Sequence, residues 1–313
     1  MIAFQILGGA SLTGEGGPLS GKSVQPRRIA LLALLACHPH HTLSREKLLA
    51  FLWPESENEQ GRHRLSESLY VLRKALGEDT LISEGDQVRL DPDRLYCDVV
   101  TFRAAIQEED LVTAVNLFKG PLMDGFFLRE AGEFYRWLET ERNALAEEYA
   151  GALETLARRV AGEGDPLEAL PWWNRLVAHD PYNSRYALGF MQTLVQSGDP
   201  GNAVQHALDH RRILREELGA EATPEVLEFA EGLRTNVDLG GATVGKRPNH
   251  YQRDPVGHRP HRPEEGGEPL PRQSGPSSAT PRVPKGRAWA TAVIAFIALL
   301  GVGAVAYALI GSG

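Results

Sequence analysis

"EQGRHRLSESLYVLRKALG", residues 59–77, is the stretch on which the reading of the chain turns. At 100° per residue, Leu65, Leu69, Leu72 and Leu76 fall on one stripe, the inward face of an amphipathic helix. The opposite face carries His63, Glu67, Tyr70 and Lys74. Ser66 and Arg73 flank it on one side, Arg64 and Val71 on the other. Gly77 follows the last leucine as a stop. A helix with leucines inside and a basic, hydroxyl-rich face outside raises the question of what that face meets.

Its neighbours supply an answer. Upstream, "IAFQIL" and "ASLTGEGGPLSG" read as short strands broken by glycine turns. "QPRRIALLALLACHP" reads as a helix that opens at Pro26 and ends before Pro39. "LSREKLLAFLWP" gives a second helix, with Ser44 as its N-cap and Pro54 beyond its end. Downstream, "TLISEGDQVRLD" alternates about "EGDQ" as a β-hairpin that carries Arg89. Three helices and a hairpin make a winged helix-turn-helix, in which the third helix enters the major groove and the wing meets backbone or minor groove. Arg and Lys there reach phosphates and guanine edges, and Ser and Tyr hydrogen-bond either. The candidate contacts to double-stranded DNA are Arg62, His63, Arg64, Ser66, Glu67, Tyr70, Arg73, Lys74 and Arg89. Glu67 either accepts from a cytosine amino group or lies off the groove. The bland alternative is a solvated amphipathic helix in some other small domain.

Charge is unevenly spread over the 313 residues. Residues 1–100 carry 11 Lys and Arg against 13 Asp and Glu, residues 101–240 carry 13 against 24, and residues 241–313 carry 9 against 4. Any DNA contact in the first segment therefore rests on a local patch and not on bulk charge. Two cysteines, Cys37 and Cys97, make no disulfide framework and suit a reducing compartment. "MIAFQILGGASLTG" has neither the basic start nor the apolar run of a secretory signal. "CHPHH" (Cys37, His38, Pro39, His40, His41) has no second ligand pair at a zinc-site spacing, so no metal and no cofactor are expected. A pH or metal sensor built on the three histidines is a minor reading. No Walker loop, nucleophile elbow or HExxH motif occurs, and an enzyme is not expected.

The middle of the chain reads as nearly all helix. "GDPLEAL" begins at Gly164 and "GDPGNAV" at Gly198, 34 residues apart, which is the tetratricopeptide period. Ala169 and Ala203 fit the small-residue slot of that repeat, and Pro181 its helix-ending proline; Arg215 stands at the second proline position. Such arrays present grooves to other proteins more often than they do chemistry. Trp172 and Trp173 read as packing residues. Residues 237–287, rich in Gly, Pro, Arg and Ser, read as a disordered linker, about 35–40 Å in root-mean-square span. Ala288–Ile310 is a run of 23 residues without a charge, long enough to cross a bilayer. Lys285 and Arg287 flank its N-terminal side, and Trp289 and Tyr307 lie near its ends. The positive-inside bias then leaves the large N-terminal part in the cytoplasm, as a single-pass protein of the inner membrane.

Several pieces carry a family resemblance: "RRIALLALLACHPHHTLSREKLLAFLWP", "LSESLYVLRKALG", "RLYCDVVTF" with Asp98 and Phe102, "EFYRWLETERNALAEEY" and "HDPYNSRYALGFMQTLVQSGDPGNAVQHALDHRRILREELGAEATPEV". The chain resembles a SARP-type bacterial transcriptional regulator, an OmpR-type winged helix fused to a bacterial transcriptional activator domain, over about residues 2–235. The resemblance implies DNA binding and contact with RNA polymerase or another protein partner, with a homodimer possible on repeated sites. It does not extend to the linker or the apolar run. The expected architecture is mostly α with small β. It comprises a winged-helix domain (1–97), a TPR-like α-helical repeat domain (98–236), a disordered linker (237–287) and one transmembrane helix (288–310). The leading reading is a membrane-anchored, DNA-binding transcriptional regulator. The rival is a membrane-tethered TPR-like scaffold with little DNA binding.

Overall fold

The computed structural model describes residues 2–56 and 58–239. The expected linker and the apolar run at 288–310 lie outside them. Among the described residues, no helix is long and apolar enough to cross a membrane.

The N-terminal part is mixed α and β. Strands β1 (Ile2–Gln5), β2 (Ser11–Gly14) and β3 (Gly17–Pro18) form an antiparallel meander. Helix α1 (Pro26–Cys37) starts on a proline, whose fixed φ suits the first helical position. Its residues Ala30 to Leu35 are almost completely buried, because the helix is wrapped on several sides. Strand β4 (Thr42–Ser44) leads into α2 (Arg45–Leu52), and the Ser44 hydroxyl accepts from the Lys47 N–H at 3.2 Å as its cap. Helix α3 (Asn58–Leu76) has Glu59 in its first turn and Arg73 and Lys74 in its last, each favourable to the helix dipole. It stops at Gly77, whose φ of +110° is costly for any other residue. Next comes the wing, β5 (Leu81–Glu84) and β6 (Gln87–Leu90), joined through Gly85 and Asp86.

Two strands go beyond the sequence-based expectation. β4 pairs with β6, so the wing is a three-stranded sheet in the order β4-β6-β5. β7 (Leu95–Cys97) runs parallel to β1 and completes the first sheet, β3-β2-β1-β7. Three residues are too few to show alternation, so neither strand stands out from periodicity.

Immediately after β7, the buried Asp98 carboxylate accepts from the N–H groups of Ile6 and Leu7 at 2.9 Å and of Val99 at 2.8 Å. Burial pushes this carboxyl above its ordinary range, and those backbone N–H groups offset part of the rise. The two cysteines flank this region as buried free thiols. Burial, with the Asp98 charge, pushes Cys97 up to about 12, and burial raises Cys37 as well, so neither thiol is activated.

The second part is helical: α4 (Asp98–Gln107), α5 (Leu111–Leu117), α6 (Gly132–Gly162), α7 (Pro166–His179), α8 (Ser184–Gln196), α9 (Pro200–Ile213), a π turn (Leu214–Leu218) and α10 (Pro224–Leu239). The stretch from Phe134 to Gly162 lies within the single 31-residue helix α6. The 34-residue period is real in three dimensions. Asp165 and Asp199 cap α7 and α9 through the N–H groups of Glu168 and Asn202, with Pro166 and Pro200 at the first helical position. Ala169 and Ala203 are both fully buried, as the small-residue slot requires. α7 ends at His179, just before Pro181. Trp173 is buried, and Trp172 packs under the Arg175 guanidinium, 5.5 Å from its ring centroid.

The last repeat carries a pH dependence. His206 packs edge-on to Phe190 at 4.9 Å between centroids, and its Nε2 is buried with no hydrogen-bond partner among the described residues. Burial, with the charge of His210, pushes His206 down to about 4, against an opposing pull from Asp209. His179 and His210 are lowered by burial as well. Unfolded histidine titrates near 6.5, so the unfolded chain takes up the proton first. The stability from a neutral His206 is complete above that value and is lost as pH falls from about 6.5 to about 4. The loss is on the order of 3 kcal/mol. Thermal melts across pH 7.5 to 4 read this as a falling Tm, and His206→Leu flattens the curve.

Candidate nucleic-acid interface

The structure places α3 with its leucine stripe inward, as the helical wheel requires. Leu65, Leu69 and Leu72 are 1 % exposed or less and Leu76 is 8 % exposed. Arg62, His63, Arg64, Ser66, Glu67, Tyr70 and Lys74 are exposed. Tyr70 is 62 % exposed, an unusual position for a large ring in a helix with an otherwise ordinary polar face.

The exposed residues fall into two groups. The side chains of Arg62, His63, Ser66, Tyr70 and Lys74 have no partner among the described residues. The others are engaged within the protein. Arg64 Nη1 donates to Ser56 Oγ at 3.0 Å, outside the start of the helix. Arg73 Nε donates to the Leu81 carbonyl and Nη2 to Ser83 Oγ, both at 2.7 Å, and so ties α3 to the wing.

Glu67 is held by Arg28. This arginine of α1 is only 4 % exposed and donates to the Lys22 carbonyl at 2.7 Å, Gln25 Oε1 at 2.6 Å and Glu67 Oε1 at 3.1 Å. The acidic side chain in the middle of the face is therefore the surface end of an ion pair. Its charge is compensated from below, and it fixes α3 against α1. Sequence spacing gives no hint of this, because the two residues are 39 positions apart.

Arg89 is separated from the rest. It pairs with Thr42 and Ile82 across the wing, and residues paired in an antiparallel ladder share a face. Leu81, Ser83 and Val88 occupy the other face, which meets α3 through Arg73. One residue that sequence reasoning missed joins the cluster on that side: Arg45, at the start of α2, donates from Nη2 to Ser83 Oγ at 3.2 Å. Two histidines of "CHPHH" turn to the backbone, His38 Nδ1 against the Pro39 carbonyl at 2.8 Å and His41 Nδ1 against the Ala36 carbonyl at 3.0 Å.

The winged helix is firmly joined to the helical part. Met123 N–H donates to the Ile6 carbonyl at 2.7 Å and Asp124 N–H to the Gly8 carbonyl at 2.6 Å, so the segment at 121–124 extends the edge of the N-terminal strand region. Arg103 of α4 donates to the Cys37 carbonyl at the end of α1 and binds Glu148 of α6 at 3.0–3.2 Å, with Glu141 at 2.8 Å. Phe51 of α2 meets Trp137 of α6 at 6.5 Å between centroids. A single hydrophobic core runs from Phe4 and Leu31 through Phe102 to Phe134 and Leu153. The boundary at 97/98 divides the chain by fold type, but no seam in the packing corresponds to it.

Known proteins resemble the chain in sequence and in fold. Residues 101–234 match the bacterial transcriptional activator domain. The matched region thus begins within α4 and ends within α10. Two curated relatives are both named regulatory protein AfsR. The one from Streptomyces griseus is 28 % identical over 249 residues, covering 76 % of this chain and 25 % of that protein. The one from Streptomyces coelicolor is 30 % identical over 240 residues, covering 74 % and 24 %. The chain thus spans about a quarter of the length of these relatives. Among solved structures, Mycobacterium tuberculosis EmbR in complex with a low-affinity phosphopeptide superposes with a TM-score of 0.59 at 22 % identity, over 75 % of this chain and 65 % of that one. That likeness concerns the fold: a small, mostly N-terminal β region and a helical activator domain in one mostly helical chain.

Proposed function

We propose that the protein is a DNA-binding transcriptional regulator whose α3 reads the major groove and whose activator domain contacts RNA polymerase or a second protein. The observation that carries this reading is the outer face of α3. His63, Ser66, Tyr70 and Lys74 stand there, with Arg62 exposed near the start of the helix, all without partners among the described residues, above a packed leucine stripe and beside a three-stranded wing. Unpartnered cations and hydroxyls on a rigid helix are what phosphate and base-edge contacts need. Glu67 does not oppose this, since Arg28 compensates it. The names of the AfsR relatives and the activator-domain match support the regulatory role.

The reading includes a membrane anchor at residues 288–310, with the DNA-binding part on the cytoplasmic side, supported by the uncharged 23-residue run and the cations before it. A homodimer on repeated half-sites would add avidity to a modest single-site affinity. Genome-wide mapping of bound DNA, with and without residues 288–313, tests the whole reading. Discrete promoter-proximal peaks in both forms, with the full chain in the membrane fraction and the shortened chain released, are expected. Absence of any peaks in both forms would leave the tethered scaffold as the better reading.

A further inference from the structure

Two arginines converge on one hydroxyl at the junction of α2, α3 and the wing. Arg73 Nη2 lies 2.7 Å and Arg45 Nη2 3.2 Å from Ser83 Oγ. Neither guanidinium has an ion pair among the described residues, although Glu84 and Asp86 lie in the same hairpin. Two like charges thus share a single neutral oxygen. That arrangement is electrostatically unfavourable as it stands and becomes favourable when an anion enters between them. The backbone is arranged to hold the pair in place. Arg45 N–H donates to the Asp86 carbonyl at 2.8 Å, and Arg73 Nε to the Leu81 carbonyl at 2.7 Å. Ser83 is exposed, so the site opens to solvent.

We propose that Arg45, Arg73 and Ser83 form a clamp for one phosphodiester of the DNA backbone; this rests on the DNA-binding function proposed above and adds to it a specific phosphate. The phosphate oxygens take over the two guanidinium hydrogen bonds now spent on Ser83, and the freed hydroxyl donates to the same group. Geometry favours a backbone phosphate over a free anion, because α2, α3 and the wing are the elements that straddle a groove wall in this architecture. The clamp carries no sequence information. It fixes the register in which Tyr70, Ser66 and Lys74 meet the bases. Ser83 and Arg45 thereby act as positioning residues for α3.

The test measures binding of the full chain, held in detergent, to several 30-base-pair duplexes of different sequence over a salt series. Each phosphate contact contributes about 0.9 to the slope of log K against log salt. Arg45→Gln is expected to reduce the slope by about one, to weaken binding by the same factor on every duplex, and to leave Tm unchanged. Arg45→Lys keeps the charge and is expected to restore the slope. An unaltered slope for Arg45→Gln beside a binding wild type overturns the clamp and leaves the DNA-binding function standing. A loss confined to one duplex sequence also overturns it, since that is the behaviour of a base contact. A wild type that binds none of the duplexes overturns both.

Discussion

Gly189→Ala is expected to lower the melting temperature by about 6–12 °C, as a loss of roughly 3 kcal/mol in a domain of this size. Gly189 lies in α8, where it faces Trp173 of α7. A Cβ built there overlaps the indole, with Cζ3 at 2.6 Å and Cζ2 at 2.8 Å, closer than real Cβ contacts. The ring has no room to retreat. Trp173 is 2 % exposed, and the Arg158 guanidinium lies over its ring, 5.7 Å from the centroid. Either the helices part or the indole leaves its rotamer, and both disturb a core that is close-packed. Helix propensity alone would make the same change stabilising by up to about 1 kcal/mol, so the sign of the measured shift discriminates between the two effects. Differential scanning calorimetry of the two proteins reads it directly.

The second large effect is where α4 meets α1 and α6. Arg103→Met is expected to cost about 2–3 kcal/mol, measured as a shift in denaturation midpoint, although Met preserves the aliphatic bulk. Arg103 is 29 % exposed, and its partners Glu141 and Glu148 are 16 % and 34 % exposed. Burial by itself would lower the arginine pKa, but the hydrogen bonds it donates to Glu148 and the charges of Glu141 and Glu148 raise it on balance. Glu141 Oε1 sits 2.8 Å from Nη2 without an aligned hydrogen bond to any group, so its burial is compensated by that charge alone. Removing the arginine leaves a buried carboxylate without a counter-ion, and a broken buried pair costs about 3–5 kcal/mol; partial exposure reduces this. Glu141→Gln in the Arg103→Met background should recover part of the loss. A double-mutant cycle with no coupling between the two positions would show that the network does not hold α4 to α6.

Long, strongly periodic segments are legible in the amino-acid sequence. The leucine stripe of α3, the proline start of α1, the Ser44 cap and the paired "GDP" starts of α7 and α9 each leave a local trace. The features that are not legible depend on partners distant in sequence. β4 and β7 are three residues each and exist only because β6 and β1 lie beside them. The Arg28–Glu67 pair spans 39 positions and changes Glu67 from a puzzle on the groove face into a brace. Arg73 is half-committed to the wing, and Arg89 is on the other face of it, whereas a helical wheel treats all the cations of this region alike. Arg45, at a helix start with no periodic neighbour, enters only through Ser83. The continuity of the core from Phe4 to Phe134 is likewise invisible in composition, where the charge balance shifts from near neutral to acidic close to residue 100.

That continuity bears on how a regulator of this kind would work. A winged helix whose strand edge is extended by residues 121–124 and whose α1 is pinned by Arg103 presents its outer face in a fixed orientation to the activator domain. Under the proposed function, a partner bound by that domain would be held at a defined place relative to bound DNA.

The proposed function stands or falls with DNA binding by the outer face of α3. Fluorescence anisotropy at fixed salt gives the affinity of the full chain for a genomic duplex recovered by mapping. The comparison is between the wild type and the triple variant Arg62→Ala, Tyr70→Ala and Lys74→Ala. None of these side chains has a partner among the described residues, so the fold and its Tm are expected to stay unchanged. Three contacts at roughly 1 kcal/mol or more each correspond to a loss of about 100-fold or greater. That loss with an unaltered melt is the expected result. Equal affinity for the two proteins would remove α3 from the DNA interface and overturn the proposal.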